Sequence, residues 1–534
     1  MLRVFNTTGV CIPKEHYMVN IEGRLSEIKR LVDAGKYITI NRARQYGKTT
    51  TLRALCGYLQ CDYHVVSIDF QIFDQAKFEN GNVFSIAFAN SFLRGLQRND
   101  LTENERLQEA EMILRKNADA ENRHFTQKEL FEALNDICSA SDKPIVLMID
   151  EVDSASNNQV FLDFLAQLRA MYIDRDIQPA FRSVILAGVY DIRNLKQKFR
   201  PQEEHRYNSP WNIATDLKVD MSFSQDDIAG MLQEYEKEHC TGMNIEKMAC
   251  RIHDYTSGYP FLVSRLCQLM DEDIASKVGD GSKGAAWSEE GFFESVRMLL
   301  VEKNTLFDSL IGKLIDYPKL SRMIRTLLFT GRTFSYAADG DIMDIASMFG
   351  FIKNQDGKVA IANRIFETRL YNYYLSENEL QGTDIYKASL QDKNQFIADG
   401  CLNMRRILEK FTEHFHDIYG DREEHFLEEE GRQYFLLYLR PIINGTGNYY
   451  VEARTRDLRR TDVIVDYLGR QYIIEMKIWR GEEYNKRGEE QLTGYLEDYH
   501  VDEGYMLSFN FNKHKQIGVH EIALGGKRII EAVV

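Results

Sequence analysis

Short apolar runs and longer stretches of helical periodicity alternate along the first half of the chain. Four apolar segments predict buried strands, namely Tyr37–Ile40, Val65–Phe70, Pro144–Asp153 and Ser183–Gly188. The stretch Ile21–Ala34 places its apolar residues at the spacing of an amphipathic helix. Strands that alternate with helices predict an α/β fold with a parallel sheet.

A polar turn and the triplet Gly47-Lys48-Thr49 follow the first predicted strand, and a helical pattern follows the triplet. Strand, loop, Gly-Lys-Thr and helix in this order are what a phosphate-binding loop requires, because backbone N–H groups and the positive helix end meet the phosphates. Lys48 would reach the β/γ oxygens, and Thr49 would hold Mg²⁺. The full pattern has a glycine where this chain has Arg42. The predicted binding residues of the loop are Arg42, Arg44, Gln45, Tyr46, Gly47, Lys48, Thr49 and Thr50.

The third apolar segment ends in two adjacent carboxylates, Asp150 and Glu151. Ligands bind at the carboxyl ends of the strands in an open α/β sheet. We therefore predict that Asp150 binds Mg²⁺ and that Glu151 orients and deprotonates the attacking water. Together with Gly47-Lys48-Thr49, these acids predict a nucleotide hydrolase core.

The segment Ser183–Gly188 predicts a strand inserted between the two motif strands, as in the additional-strand class of P-loop ATPases. Tyr190 and Asp191 after it are candidates for sensing the γ-phosphate. The candidate arginines for stabilising transferred phosphate charge, in this or a neighbouring subunit, are Arg193, Arg200 and Arg206.

Composition places the 534-residue chain among soluble globular proteins of about three domains. Its net charge of −15 argues against coating nucleic acid with the whole surface, although local basic grooves remain compatible with it. The eight cysteines form no Cys-x-x-Cys pair, and no apolar run is long enough to span a bilayer. We therefore expect a cytoplasmic protein with reduced thiols and no membrane partner.

Four further segments have predictions of their own. Gly9–Tyr17 either folds over a nucleotide base or covers the sheet edge. Ser224 to Asp227 is a capping box with Asp in place of Glu, and it opens a helical lid. Two helical patterns before a hairpin signal at Asp356-Gly357 predict a winged helix, whose second helix is acidic and therefore favours a spacer over a DNA reader. Asn394 to Phe415 predicts a further helix.

A second candidate site lies between Arg459 and Arg480. Thr461–Tyr467 and Gln471–Ile478 predict two strands around a turn. Asp462 starts the first strand, and Glu475 and Lys477 share one face of the second because they are two residues apart. Two carboxylates beside a lysine predict a Mg²⁺ site in which the lysine orients water. Downstream, Gln491 and Tyr495 are one helical turn apart.

The motifs of the first half resemble those of prokaryotic AAA-like ATPases close to the archaeal-type and STAND groups. The resemblance covers residues 5–270 and is carried by the loop from Arg42 to Thr49, the IDEVD strand, LAGVYDIRNL and SGYPFLV. In such proteins a basic residue commonly stands at the position of Arg42. The resemblance also implies that the Gly-Tyr-Pro turn, with Pro260, lies near the nucleotide.

The stretch Tyr450–Phe511 resembles the PD-(D/E)XK nuclease superfamily. The resemblance implies that Asp462 and Glu475 are metal ligands and that Lys477 is the catalytic lysine. It also implies that Gln491 and Tyr495 match a helix motif of RecB-like members. A further acid from the preceding helix would be Glu428, Glu429 or Glu430, of which we select Glu430.

Together these features predict four parts: an AAA-like P-loop ATPase with a helical lid (1–270), a winged helix (271–375), a linker (376–393) and a C-terminal α/β/α restriction-endonuclease-like domain (394–534). The predicted function is an ATP-regulated, Mg²⁺-dependent DNA endonuclease that uses ATP and Mg²⁺ and contacts DNA through its C-terminal domain. The candidate trans arginines favour a homo-oligomer. The alternative is a STAND-like signalling or scaffold NTPase whose C-terminal domain binds DNA without cleaving it.

Overall fold

The structure is a computed structural model. It describes residues 3–99, 104–119, 121–155, 158–189, 213–216, 220–278, 283–329, 334–336, 341–376, 383–391, 395–398, 400–419, 428–443, 447–451, 463–467, 470–479, 482–498, 501–510, 512 and 516–534.

The described strands are β1 (Ile38–Asn41), β2 (His64–Asp69), β3 (Ile145–Asp150), β4 (Ser183–Gly188), β5 (Thr215–Asp216), β6 (Ile352–Gln355), β7 (Lys358–Ile361), β8 (Ile397–Ala398), β9 (Cys401–Leu402), β10 (Gly447–Val451), β11 (Val463–Tyr467), β12 (Arg470–Ile478), β13 (Glu503–Phe509), β14 (Gly518–Leu524) and β15 (Lys527–Val533).

The described α-helices are α1 (Glu22–Asp33), α2 (Lys48–Leu59), α3 (Gly81–Leu96), α4 (Glu105–Asn117), α5 (Gln127–Ala140), α6 (Gln159–Ile173), α7 (Gln225–His239), α8 (Ile245–Thr256), α9 (Pro260–Gln268), α10 (Ala275–Val278), α11 (Glu289–Val301), α12 (Thr305–Asp316), α13 (Pro318–Phe329), α14 (Asp341–Met348), α15 (Arg364–Leu375), α16 (Asp384–Gln391), α17 (Met404–Tyr419), α18 (Glu428–Ile443) and α19 (Glu482–Asp498).

The chain divides into two compact units. The first contains residues 1–231, 259–261 and 347–350, and the second contains 232–258, 262–346 and 351–534. The boundaries predicted for the four parts stay predictions.

A five-stranded parallel sheet forms the centre of the first unit, in the order β2-β3-β4-β1-β5. The strand β4 pairs with both β1 and β3, so the predicted insertion of a strand between the two motif strands is confirmed. The parallel α/β fold predicted for this half of the chain is confirmed as well. The short strand β5 was not predicted, since two residues leave no periodicity to detect.

Apolar side chains cover both faces of this sheet. One face packs against a phenylalanine-rich layer that includes Phe84 and Phe88 of α3 and Phe164 of α6. The other face packs against α1 and α2 through residues such as Ile28 and Leu55. The strands β3 and β4 are buried along their whole length, which explains why their sequences are nearly continuous apolar runs.

The second unit contains a six-stranded mixed sheet in the order β10-β11-β12-β13-β15-β14. Leu492 and Tyr495 of α19 pack against one face of it, together with Ile473. On the other face, Phe411 of α17 packs on the ring of Phe509. This part of the unit is therefore a three-layer α/β/α arrangement. Among the described residues, no helix is long and apolar enough to cross a bilayer.

Local predictions in this region have mixed outcomes. The hairpin at Asp356-Gly357 is confirmed by the antiparallel pair β6–β7. The predicted helix from Asn394 to Phe415 is wrong in its first part, because β8 and β9 form a short hairpin there and α17 begins only at Met404. Gly400 has a φ of +73°, which a turn accommodates and a helix does not.

Candidate functional site

The phosphate loop leaves the sheet at the end of β1 and returns as the start of α2. Gly47 is the residue before the helix and has a φ of +76°, a left-handed conformation that glycine adopts without strain. Gln45 also has a positive φ, of +57°. The loop therefore turns sharply, and the first backbone N–H groups of α2 lie at the carboxyl ends of the parallel strands.

Lys48 is the first residue of α2, and its side chain turns back over the loop. The ammonium Nζ donates to the carbonyl oxygens of Arg42 at 2.9 Å and of Ala43 at 3.1 Å. Lys48 is only 6% exposed. This burial lowers the pKa of the ammonium, and the carboxylates of Glu151, Asp153 and Asp150 act in the opposite direction. The loop thus holds a desolvated cation by neutral carbonyl groups.

Thr49 and Asp150 meet although they are about a hundred residues apart in sequence. The Thr49 hydroxyl donates to Asp150 Oδ2 at 2.7 Å, and the backbone N–H of Glu151 donates to Asp150 Oδ1 at 2.9 Å. Glu151 has a φ of +52°, so the chain turns directly after the strand. Burial raises the pKa of the Glu151 carboxyl, and the charge of Lys48 opposes this effect.

The neighbouring ends of β3 and β4 are tied together beside these acids. Asp153 Oδ2 accepts a hydrogen bond from the backbone N–H of Val189 at 2.6 Å. A Cβ at Gly188 would lie 2.8 Å from Val152 Cγ2 and 2.9 Å from Asp153 Oδ1, which is too close for any larger residue. The Arg42 backbone N–H donates to the Gly188 carbonyl at 3.1 Å, so the loop begins against β4.

The Gly-Tyr-Pro turn contributes to the same unit. The Tyr259 hydroxyl donates to the carbonyl of Arg44, and the Tyr259 ring packs edge-on against Tyr46 with centroids 4.6 Å apart. The Tyr46 hydroxyl is 2.8 Å from Ser222 Oγ. Pro260 is buried and begins α9. This turn therefore braces the loop by contacts to its backbone and its aromatic side chain.

The N-terminal segment also reaches α2. The Cys11 backbone N–H donates to the Thr50 hydroxyl at 3.2 Å, so this hydroxyl has a partner within the protein. His16 Nδ1 accepts from the Ile12 N–H at 2.8 Å. These contacts show that the segment packs against the start of α2. That it also folds over a nucleotide base stays a prediction.

In the second unit, Glu475 and Lys477 lie on one face of β12. Glu475 is 1% exposed, and its Oε1 is 2.8 Å from Lys477 Nζ. Isolated charges at such depth are costly, so the pair neutralises itself. This is the one described charge pair that brings together two of the residues predicted for the second site.

The helix α19 covers this face. Gln491 Nε2 donates to the Tyr495 hydroxyl, so the predicted one-turn spacing is confirmed. Gly488 lies over the lysine, since a Cβ there would be 3.5 Å from Lys477 Cγ and 3.5 Å from Met506 Sδ. Glycine at this position lets the helix backbone approach the lysine stem closely.

Other predicted residues lie outside the described residues. They are Asp462, Tyr190, Asp191, Arg193, Arg200 and Arg206. Glu430 belongs to α18, and its side chain is likewise outside the description. Within the part of the chain that is described, no group of three or more His, Cys, Asp and Glu side chains could hold a metal ion.

Sequence reasoning missed three buried polar residues near the second site. Ser508 Oγ donates to Glu531 Oε1 at 2.6 Å, and the Tyr255 hydroxyl of α8 donates to Asp466 Oδ2 of β11 at 2.7 Å. Asp466 and Glu531 are each 6% exposed. An acid inside an apolar strand segment, as in Arg-Ile-Ile-Glu-Ala-Val, was the available signal, because an idle charge there is costly.

Residues 14–278 match the family model described as an AAA-like domain. The match covers a little under half of the 534 residues and includes the phosphate loop, the acids at the end of β3 and the Gly-Tyr-Pro turn. Among curated proteins, none matches this sequence.

Several solved structures are similar in part. The Walker-type ATPase PABY2304 of Pyrococcus abyssi has 15% identity and a TM-score of 0.46, over 69% of this chain and 99% of its own. The Aeropyrum pernix ORC2 protein in its ADPNP–ADP complexes has 12% identity and a TM-score of 0.39, over 67% and 95%. The Aeropyrum pernix ORC1 protein in complex with DNA has 10% identity and a TM-score of 0.30, over 66% and 93%.

Proposed function

We propose that this chain, whose residues 14–278 match an AAA-like domain, hydrolyses ATP at its phosphate loop and cleaves DNA at its C-terminal sheet in a Mg²⁺-dependent reaction. In this proposal the protein is an ATP-regulated endonuclease. The observation that carries the ATPase part is the hydrogen bond between Thr49 Oγ1 and Asp150 Oδ2, beside the buried ammonium of Lys48.

At the phosphate loop each side chain has one task. The backbone N–H groups at the start of α2 bind phosphate oxygens, and Lys48 exchanges its carbonyl partners for the β/γ oxygens. Glu151 accepts a proton from the attacking water, for which its raised pKa makes it a better base than an ordinary surface carboxylate. Arg44, Gln45, Tyr46 and Pro260 shape the loop and the turn around the nucleotide.

The residues at this loop fit Mg²⁺ by their chemistry. A threonine hydroxyl and a carboxylate are oxygen ligands of the kind that Mg²⁺ prefers, and here they are already within hydrogen-bond distance. Thr49 and Asp150 would hold the ion, which neutralises negative charge on the transferred phosphate when bound. Asp150 is oriented for this by the Glu151 N–H.

The nuclease part is supported by the position of Glu475 and Lys477 on one face of β12, under α19. In the proposal Asp462 and Glu475, with Glu430, are the metal ligands, and their carboxylate oxygens suit Mg²⁺. The ion would supply Lewis-acid activation of a phosphodiester. Lys477 orients the attacking water, while the ring of Tyr495 packs α19 against the sheet and its hydroxyl accepts a hydrogen bond from Gln491.

A second candidate function is favoured by one observation. Glu475 Oε1 and Lys477 Nζ lie 2.8 Å apart, as they would in a purely structural ion pair. In that case the chain is a STAND-like signalling or scaffold NTPase whose C-terminal domain binds DNA without cleaving it. A purely structural role predicts a measurable loss of stability on mutation, because removing one partner of a buried ion pair typically destabilises a protein by about 3–5 kcal/mol.

The deciding experiment is a cleavage assay on plasmid and linear DNA with purified full-length protein, with and without Mg²⁺ and ATP. We expect Mg²⁺-dependent cleavage by the wild type, a change in its rate with ATP, and no cleavage by Glu475→Gln. The matched control is Glu521→Gln, a charge-neutralising change at an ion-paired glutamate on β14 of the same sheet.

Two other results would favour the second candidate. One is DNA binding by the wild type without cleavage at any Mg²⁺ concentration. The other is a loss of thermal stability in Glu475→Gln that Mg²⁺ does not influence in either protein. Glu151→Gln separates the two parts further: ATP hydrolysis by this variant at the wild-type rate would remove Glu151 from the ATPase mechanism.

A further inference from the structure

Glu531 is a buried carboxylate that the proposed nuclease mechanism does not use. It lies on β15 and is 6% exposed. Its Oε1 accepts a hydrogen bond of 2.6 Å from the hydroxyl of Ser508, which is itself fully buried on β13. Burying a carboxylate costs several kcal/mol unless hydrogen bonds compensate it. A carboxylate buried this deeply beside the proposed site suggests a task beyond packing.

The register of the sheet places this pair beside the proposed nuclease site. Lys477 of β12 is the partner of Ser508 on β13, and Glu475 is the partner of Met506. Met506 is in turn the partner of Glu531 on β15. Paired residues of neighbouring strands project to the same face. Glu475, Lys477, Ser508 and Glu531 therefore occupy one face of three neighbouring strands, β12, β13 and β15.

The helix α19 closes this face from above. A Cβ at its Gly488 would be in van der Waals range of the Lys477 stem and of Met506. Glu489, the next residue, has a raised pKa, first because of burial and second because of the charge of Glu531. The Lys477 stem lies between the sheet and the helix, since a Cβ at Gly488 would be 3.5 Å from its Cγ.

The direction of the hydrogen bond between Ser508 and Glu531 determines what Ser508 presents to Lys477. An ionised carboxylate only accepts hydrogen bonds, so the proton of the Ser508 hydroxyl is committed to Glu531. Because its proton points to Glu531, Ser508 Oγ can only accept hydrogen bonds from its other neighbours. An ammonium group only donates, so a serine in this state is a suitable neighbour for Lys477.

We propose that Glu531 is a positioning residue of the C-terminal site, which acts through Ser508 to hold the Lys477 ammonium toward Glu475. This inference rests on the proposed nuclease function for its effect on catalysis. Glu531→Gln removes the charge and presents a donor as well as an acceptor to Ser508, so the direction of the serine hydroxyl is no longer fixed. Ser508→Ala would remove the serine hydroxyl and with it the hydrogen bond to Glu531.

The kinetic test uses single-turnover DNA cleavage by the full-length protein at saturating Mg²⁺. We expect Glu531→Gln and Ser508→Ala each to lower the rate constant about tenfold, the low end of what loss of an outer-shell partner typically costs. The DNA concentration for half-maximal rate should not change. The double variant should be no slower than either single variant, because both changes break one link. Glu521→Gln, whose residue pairs with Ile530 and so lies on the opposite face, should cleave at the wild-type rate.

Two kinetic outcomes would overturn the inference. One is a wild-type rate constant in Glu531→Gln. The other is a double variant whose loss is the product of the two single losses, since independent effects multiply. If Ser508→Ala does not fold, the comparison of Glu531→Gln with Glu521→Gln still decides.

A second measurement does not depend on cleavage. Reductive methylation with ¹³C-formaldehyde labels the lysines, and the Lys477 signal is assigned by its absence in Lys477→Arg. We expect this signal to be shifted from those of exposed lysines in the wild type, and to move toward them in Glu531→Gln and Ser508→Ala but not in Glu521→Gln. An identical Lys477 signal in all proteins would refute the positioning role. A wild type that fails to cleave while the signal responds as expected would refute the proposed nuclease function alone.

Discussion

The two lysines of the two candidate sites differ in what holds them. Lys48 is buried under the phosphate loop and donates to two backbone carbonyls, while the carboxylate of Asp150 accepts a hydrogen bond from Thr49. Lys477 instead forms a direct ion pair with Glu475. Carbonyl partners leave the full positive charge available to an anion, whereas a carboxylate partner cancels it. The first site therefore offers a positive charge to phosphate, whereas in the second site the charge of the lysine is neutralised by Glu475.

The largest effect is expected from Lys48→Ala. The loop then loses its one buried ammonium, so ATP binding should fall below detection in isothermal titration calorimetry, while the protein stays folded because neutral carbonyls can bind water instead. Lys143→Ala is the matched control, since Lys143 also donates to a backbone carbonyl, that of Gln60, but at the surface. Unchanged ATP affinity in Lys48→Ala would show that the Lys48 ammonium does not bind the phosphates of ATP.

Removing a carboxylate of the second site should abolish DNA cleavage there and leave ATP binding at the first site unchanged. We expect Asp462→Ala and Glu475→Ala to abolish DNA cleavage, to resist rescue by excess Mg²⁺, and to keep wild-type ATP affinity. The measurements are a plasmid-nicking assay and the same calorimetric titration. A cleaving Glu475→Ala protein would show that the electroneutral pair has no catalytic role.

Lys477→Ala should have a smaller effect than loss of a carboxylate. The metal ligands remain, so Mg²⁺ binding measured by calorimetry should persist, but the water loses its positioning charge and cleavage should slow by about a hundredfold. Lys527→Ala provides the control, because Lys527 pairs with the exposed Asp502 on the same sheet. Equal rates in the wild type and Lys477→Ala would contradict the assigned role.

The smallest effect concerns the brace on the phosphate loop. Tyr259→Phe keeps the ring against Tyr46 and removes only the hydrogen bond to the Arg44 carbonyl, a contact type that contributes about 0.5–1.5 kcal/mol. We expect ATP to bind up to about tenfold more weakly, as measured by calorimetry. Tyr63→Phe is the control, since it removes a hydroxyl contact to Asp33 in the same unit. If both variants bind ATP equally well, the turn does not support the loop.

The first site could be predicted closely from the sequence because its signals are local. Gly47, Lys48 and Thr49 are consecutive, and an apolar run followed by two acids marks the end of β3 whatever surrounds it. The insertion of β4 between the motif strands was expected from the resemblance to the additional-strand class of P-loop ATPases and not from a local pattern. The contacts of Tyr259 to the loop backbone could not be predicted, because they join residues more than two hundred positions apart.

The second site was less accessible to the same reasoning. The spacing of Glu475 and Lys477 predicted their common face, but the period of a strand does not reveal which neighbouring strands lie beside it. Ser508 and Glu531 enter through a parallel crossing order, β12-β13-β15, that no local pattern encodes. The hairpin around Gly400 was hidden in a similar way, since two-residue strands carry no periodicity.

The hydrogen bond from Tyr255 to Asp466 also bears on how this protein could be divided or recombined. Its donor and acceptor are 211 positions apart, yet both belong to the second compact unit. A chain that started at residue 394 would keep the buried acid and lose this donor, at a cost of about 1–3 kcal/mol for the unsatisfied group. A transfer of the C-terminal sheet alone onto another ATPase would therefore lose stability unless Tyr255, or a substitute for it, were transferred with the sheet.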